Sequence, residues 1–140
     1  MKLSELFDKN AFFRSETEIK EHIKNSKNYN NELPGSANLL MFFQTSKQRT
    51  YLVATTKRLY CILDDARKDK PHINWSMPMN EVVDNNELLF TLNTKEKSPK
   101  TGLIDIGPKH KNWLFSTSLF NKSTVTSTIE KFLLSSMKNT

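Results

Sequence analysis

The chain is poor in the features that mark several protein classes. It has one cysteine, Cys61, so no intrachain disulfide can form and a disulfide-stapled scaffold is excluded. Its longest apolar run, Leu39–Phe43, is far shorter than the ~20 residues that a membrane-spanning helix needs. Its glycines, Gly35, Gly102 and Gly107, form no phosphate-cradling loop. The sequence therefore predicts neither a spanning helix nor a nucleotide-phosphate loop.

Residues that carry catalysis or hold metals are also scattered. His22, His72 and His110 lie far apart and have no metal-ligand spacing. Cys61 has no histidine partner and is expected to be a buried strand residue. The adjacent pair Asp64–Asp65 would point to opposite sides of a strand, which makes a poor acid–base pair. The sequence predicts a protein that is not an enzyme, with no catalytic residue, metal or cofactor.

The residues that are present indicate one packed and basic domain. The 140 residues fit a single domain, and the nine Phe, three Tyr and two Trp residues can fill a core. The formal net charge of +6 is zero over residues 1–36, +4 over 37–120 and +2 over 121–140. A positive field favours anionic partners, although the same charge could simply keep a small domain in solution.

The first residues of the sequence indicate the cellular compartment in which the protein is expected to reside. Glu5, Asp8 and Lys9 interrupt any apolar stretch there, so no secretory signal is predicted. Together with the single cysteine, this indicates a reducing, cytoplasmic setting.

Residues 1–36 are predicted to be an N-terminal helical extension, separate from a domain over 37–140. Ser15 and Glu18 fit a capping box, and Ile19 and Ile23 follow as a short apolar stripe against which Phe12–Phe13 could pack. Pro34-Gly35-Ser36 breaks the helical pattern and sets the boundary.

From residue 37 the pattern changes to about seven strands joined by short turns. The predicted strands are Ala37–Thr45, Thr50–Thr56, Leu59–Leu63, Ile73–Met79, Leu88–Asn93, Leu103–Ile106 and Trp113–Thr117. In the third, Leu59 and Cys61 share one face while Tyr60 and Ile62 share the other. In the fourth, the alternation predicts that Ile73, Trp75, Met77 and Met79 all point one way.

The last segment switches to a helical period. Val125, Ile129, Phe132, Leu133 and Met137 lie on one face of a predicted amphipathic helix. Such a helix could cover one open end of a small antiparallel roll.

Two segments carry a resemblance to a known family. Residues 51–62, Tyr-Leu-Val-Ala-Thr-Thr-Lys-Arg-Leu-Tyr-Cys-Ile, and residues 73–82, Ile-Asn-Trp-Ser-Met-Pro-Met-Asn-Glu-Val, resemble strands of bacterial PH-like and GRAM-like domains. The resemblance implies a mainly β, α+β fold: a barrel of about seven antiparallel strands in two near-orthogonal sheets, capped by the C-terminal helix. The closing helix lacks the tryptophan common in eukaryotic PH domains, and residues 1–36 have no counterpart in the minimal module.

The resemblance also implies that three basic loops converge at the mouth of the barrel. The candidate anion- or lipid-binding residues are Lys47, Arg49, Arg67, Lys68, Lys70, Lys109 and Lys111, with His110 beside the last two. Several cations around one concavity could bind a phosphorylated headgroup, with arginine giving bidentate contacts. Against this, Asp64, Asp65 and Asp69 cancel the charge of the middle loop. The Lys47-Gln48-Arg49 tip also lacks the upstream lysine of phosphoinositide-binding relatives.

Apolar residues offer a second candidate surface. Trp75, Met77, Met79 and Trp113 could form an adaptable peptide groove or could simply be core. Tyr51 and Tyr60 are expected to be more exposed, because their neighbours in phase are polar or turn residues.

The sequence thus favours a non-catalytic binding module that binds another protein or associates with itself. The alternative is peripheral binding to anionic lipid through the basic loops, which would place the protein at the inner membrane face. Nucleic acid is disfavoured because no stacking motif or recognition helix is present.

Overall fold

The computed structural model describes residues 13–26, 38–106, 111–120 and 123–136. Its helices are α1, Glu16–Lys24, and α2, Val125–Ser136, with a 3-10 helix at Met79–Glu81. Its strands are β1 Asn38–Gln44, β2 Gln48–Ala54, β3 Arg58–Asp65, β4 His72–Pro78, β5 Val83–Asp84, β6 Glu87–Leu88, β7 Asn93–Glu96, β8 Thr101–Ile106 and β9 Lys111–Ser116. The protein is therefore mainly β, as expected from the sequence.

Three antiparallel sheets make up this part of the chain. The largest has the order β1-β2-β3-β4, β5 pairs with β6, and the third has the order β7-β8-β9. The described strands do not join these sheets into a closed barrel. The sheets with four and three strands approach each other where Gln44 of β1 meets Ser116 of β9, whose hydroxyl accepts the Gln44 N–H at 2.8 Å.

Two similar turns connect the strands of the large sheet. Residues 45–47, Thr-Ser-Lys, and residues 55–57, Thr-Thr-Lys, each begin with a threonine whose hydroxyl accepts backbone N–H groups two and three positions ahead. These local bonds satisfy two backbone N–H groups at each turn.

The region after β4 differs from the predicted strand at Leu88–Asn93. Asn85 and Asn86 have φ of 52° and 64°, so they form the two-residue turn that joins β5 to β6. Asparagine tolerates this left-handed conformation better than most residues, which favours a tight hairpin here. The expected strand is therefore wrong: β6 ends at Leu88, residues 89–92 belong to no strand, and the next strand begins at Asn93.

Strands β2 and β3 divide their side chains between two hydrophobic clusters. Leu52, Ala54, Leu59 and Cys61 point into the main core, which also contains residues of β1, β8, β9 and α2. Their neighbours in sequence, Tyr51, Val53, Tyr60 and Ile62, line the opposite side, which we call the outer face. The predicted split of Leu59 and Cys61 from Tyr60 and Ile62 is confirmed.

The outer face is covered by α1, which corrects the expected exposure of two tyrosines. Ile19 and Ile23 are 1% and 0% exposed against it. Tyr51 and Tyr60 are consequently 8% and 0% exposed. The predicted capping box is confirmed: the Ser15 hydroxyl accepts the Glu18 N–H, and the Glu18 carboxylate accepts the Ser15 N–H.

Strand β4 does not keep one apolar face along its length. Trp75 pairs with Cys61 and Ile73 pairs with Ile62, so Asn74 is an extra residue that bulges out of the ladder. The bulge turns Ile73 to the outer face while Trp75 and Met77 pack against the main core. The prediction that all these side chains point one way is therefore wrong.

The C-terminal helix packs against the main core as predicted. Val125, Ile129 and Leu133 are fully buried there, and Phe132 is half-buried beside them. Met137, predicted on the same face, lies outside the described residues.

Gly102 gives a test of packing in the third sheet. It pairs with Phe115 across β8 and β9, and a Cβ at position 102 would overlap the Phe115 ring. We expect Gly102→Ala to lower the free energy of unfolding by about 1–3 kcal/mol, because a buried ring must shift. Urea denaturation measures this loss. In a Phe115→Leu background the further loss should be smaller, and an equal loss would contradict the overlap.

Candidate interaction surfaces

Two of the three predicted basic loops lie side by side. The β1–β2 turn and the β3–β4 connection are at the same end of the large sheet, because neighbouring strands run antiparallel. The backbone N–H of Ala66 donates to the carbonyl of Lys47 at 2.8 Å. We call residues 45–49 and 64–71 together the basic end.

The ring of Phe13, two residues before the N-cap of α1, covers the side chain of Arg49 in the basic end. Its guanidinium carbon lies 4.0 Å from the centroid of the Phe13 ring, in a cation–π contact. Its Nε is buried and has no hydrogen-bond acceptor among the described residues. Arg49 is thus half-buried and partly engaged inside the fold.

Arg67 is bound by a carboxylate of its own loop. Its Nη2 and Nε donate to the two oxygens of Asp65 at 2.7 and 2.9 Å, and Gln48 donates to the same group at 3.0 Å. These hydrogen bonds hold the pKa of the Asp65 carboxyl well below its usual range, and the bonds from Arg67 have the largest effect. The two arginines expected to give bidentate headgroup contacts therefore already have partners within the protein.

The lysines of the basic end remain accessible. Lys47, Lys68 and Lys70 are exposed, and the carboxylate of Asp69 is exposed with them. The basic end therefore presents to solvent three ammonium groups, the Asp69 carboxylate and the guanidinium of Arg67, which is paired with Asp65.

The third predicted loop is not joined to the basic end by any described contact. Lys109 and His110 lie outside the described residues, and the backbone of Lys111 begins β9. The other end of β9 is the one that reaches Gln44, through Ser116. Lys111 lies about 17 Å along the strand from Ser116. Convergence of all three loops stays a prediction.

The basic end also contains an arginine-binding site that the sequence did not indicate. Nη1 of Arg14 donates to the Asp64 carboxylate at 3.1 Å and to the Asp65 carbonyl at 2.9 Å, while Nη2 donates to the Lys68 carbonyl. The Arg14 backbone N–H donates to the second Asp64 oxygen at 2.7 Å. We call these three acceptor groups, the Asp64 carboxylate and the Asp65 and Lys68 carbonyls, the arginine socket.

The arginine socket ties α1 to the sheet. The side chain of Asp64 is 0% exposed and that of Arg14 is 15% exposed, so the ion pair is shielded from water. Removing one partner of such a buried pair typically costs about 3–5 kcal/mol, because the other charge stays buried. Since 50 positions separate the two residues, no local sequence pattern relates them.

The tryptophans pack together on the side of the main core. The ring centroids of Trp75 and Trp113 are 6.1 Å apart at an interplanar angle of 51°. Both are half-buried, and neither indole N–H has an acceptor among the described residues. Trp75, Met77 and Trp113 pack against the main core, and Met79 is buried within it. The core interpretation of this apolar set is favoured over the groove interpretation.

A cleft that the sequence did not indicate lies between α2 and the segment that follows β5. It has a volume of about 500 Å³ and is lined by part of 86–92 together with Thr126 and Glu130 of α2. Leu89, next to the lining residues, is 50% exposed and is the most exposed large apolar side chain among the described residues. We call this the α2 cleft.

The side chains considered for catalysis do not assemble into a reactive group. Burial raises the pKa of the Cys61 thiol to about 12, so the thiolate that would act as nucleophile is scarce near neutral pH. Burial, with Lys70 and His72 nearby, lowers the pKa of His22. Within the described ranges, no three His, Cys, Asp or Glu side chains are grouped to hold a metal ion.

Comparisons with known proteins identify no relative of this chain. No family model, curated protein or solved structure matches this chain. Within residues 13–26, 38–106, 111–120 and 123–136, no helix has both the length and the apolar character needed to cross a membrane.

The Asp65–Arg67 pair predicts a specific dependence of stability on pH. A carboxyl whose pKa is lowered by folding stabilises the fold above its unfolded pKa of about 3.9, and this contribution is lost as the pH falls below that value. We expect Asp65→Asn to be less stable than the wild type at about pH 6, and the difference to shrink at about pH 3.

Urea midpoints of both proteins at the two pH values measure this effect. Asp69→Asn, which changes an exposed carboxylate of the same loop, is the matched control and should follow the wild type. A difference between wild type and Asp65→Asn that does not change with pH would contradict the prediction.

Proposed function

We propose that the chain is a non-catalytic, PH-like binding module that binds a segment of another protein in the α2 cleft. The order of a four-stranded antiparallel sheet, a three-stranded one and a C-terminal helix supports the PH-like part of this proposal. The two engaged arginines of the basic end and the raised pKa of Cys61 make headgroup binding and covalent catalysis weaker alternatives.

The observation that carries the proposal is the apolar surface beside α2. Leu88, Phe90 and Leu92 are half-buried and pack against the main core, while Leu89 stays 50% exposed. Residues 89–92 lie outside every strand, and of their backbone groups the Leu89 N–H already donates to the Val82 carbonyl at 2.9 Å. A polypeptide segment could both bury these side chains and hydrogen-bond to this backbone.

The charge around the α2 cleft indicates what kind of segment would bind. Glu87 and Glu130 line it, and no lysine or arginine does. A cleft lined by these carboxylates together with the half-buried Leu88, Phe90 and Leu92 favours a partner with basic residues next to apolar ones. The ligand proposed for this module is therefore a peptide segment that combines apolar and basic residues.

A display library of random short peptides, selected on the full-length chain, tests this proposal. We expect enriched peptides to combine apolar and basic residues. Thr126→Arg should reduce their affinity by at least about tenfold, because it fills the cleft and adds a like charge for the peptide. Isothermal titration calorimetry with the selected peptides measures the change.

Ser127→Arg is the matched control. Ser127 is the next residue of α2, is exposed, and does not line the cleft, so this variant should bind as the wild type does. If no peptide is enriched, or if Thr126→Arg and Ser127→Arg bind the peptides equally well, the α2 cleft is not the binding site.

A second candidate function is peripheral binding to anionic membranes. It is supported by the contact between the two loops of the basic end, which holds Lys47, Lys68 and Lys70 exposed at one end of the sheet. Each lysine near an anionic surface contributes about 1 kcal/mol of attraction.

Vesicles of phosphatidylcholine, with and without phosphatidylserine or a phosphoinositide, test this candidate by co-sedimentation. We expect the combined Lys47→Glu, Lys68→Glu and Lys70→Glu variant to lose affinity on the order of a hundredfold. Changing the exposed Lys95, Lys97 and Lys100 to Glu makes the same change of charge elsewhere and should have a smaller effect. Binding that ignores the anionic lipid content would eliminate membrane docking.

A further inference from the structure

The contact between α1 and the sheet is a recognition surface of its own. The side chains of Ile19 and Ile23 pack on the outer face, in a hydrophobic cluster that shares no residue with the main core. A nine-residue helix is marginal by itself in water, so α1 depends on this contact for its stability. The outer face therefore binds α1 in the way that an apolar groove binds an amphipathic helix.

The arginine socket makes this recognition specific. The Asp64 carboxylate and the Asp65 carbonyl at the end of β3, with the Lys68 carbonyl of the connection that follows, converge on the guanidinium of Arg14, a planar group with several donors that lysine cannot match. The ring of Phe13 lies over Arg49 next to it. The ligand of the outer face is thus an aromatic residue and an arginine, followed by a capped helix with two isoleucines four positions apart.

We propose that a second copy of this chain can supply that ligand, so that two copies exchange residues 13–26 and associate. Every copy carries both the segment and a matching outer face, so complementarity between copies needs no further surface. Eleven residues, 27–37, separate the last described residue of the segment from β1, and a chain of that length reaches at most about 40 Å. This inference is independent of the α2 cleft.

Concentration decides between the two arrangements. A short connection keeps the segment at an effective concentration of roughly millimolar near its own outer face. In dilute solution each outer face therefore binds the α1 of its own chain. The exchanged dimer becomes more populated as the protein concentration rises or as the contact within one chain is weakened. Exchange of identical elements in this way creates dimers without new surface.

A charge swap across the ion pair tests the exchange with full-length chains. Arg14→Glu places a carboxylate against Asp64, and Asp64→Arg places a guanidinium against Arg14, so each variant repels its own segment. In an equimolar mixture, each segment finds the opposite charge on the other chain. We expect sedimentation to show a dimer of twice the chain mass of 16.3 kDa in the mixture, and less dimer in either variant alone.

Two controls accompany the mixture. The double variant Arg14→Glu with Asp64→Arg restores the pair within one chain and should be monomeric where the mixture is dimeric. A mixture of Lys24→Glu with Glu21→Arg changes an ion pair within α1 whose two side chains are exposed, and should not form the heterodimer.

Heterodimer in the charge-swapped mixture alone supports exchange, whereas folded variants that stay monomeric when mixed overturn it. If either charge-reversed chain does not fold, Arg14→Ala mixed with Asp64→Ala takes its place, because the intact segment of one can still bind the intact socket of the other. A monomeric mixture of that pair overturns the proposal equally.

Discussion

The central strands β2 and β3 of the large sheet are buried on both faces, and most other features of the molecule depend on this constraint. Because side chains alternate along β2 and β3, burying Leu52 and Leu59 in the main core forces Tyr51 and Tyr60 to the other side. Those tyrosines need a cover, and α1 provides it with two isoleucines. The N-terminal segment is thus part of the packing of the sheet, although its hydrophobic cluster is separate from the main core.

The same arrangement decides how much of the positive charge is free. Asp64 lies at the end of β3 without exposure, so it needs a cation, and Arg14, the residue before the N-cap of α1, pairs with it. The ring of Phe13 lies against the guanidinium of Arg49, and the Asp65 carboxylate binds Arg67. A count of lysines and arginines in the loops therefore overstates the charge available to a ligand. Lys47, Lys68 and Lys70 are exposed at the basic end, whereas the exposed guanidinium of Arg67 is paired with Asp65 and Arg49 is half-buried.

Sequence patterns succeeded where the interactions are local and failed where they depend on pairing between strands. The capping box at Ser15 and the apolar stripe of α2 follow from residues three or four positions apart, and both are confirmed. The bulge at Asn74 depends on how β4 lies against β3, and it reversed the predicted direction of Ile73. The hairpin at Asn85 was hidden because a two-residue strand is too short to show an alternation.

The sequence by itself determined the mainly β character, the two helices and the residues that alternate between faces, because each depends on neighbours along the chain. Only the tertiary structure decided which apolar face each strand segment joins, which cations are engaged, and that residues near α2 leave a cleft. These features depend on contacts between residues tens of positions apart, such as Arg14 with Asp64. A contact of that kind leaves no periodic trace in the sequence, since its energy comes from burial and geometry that exist only once the sheet has formed.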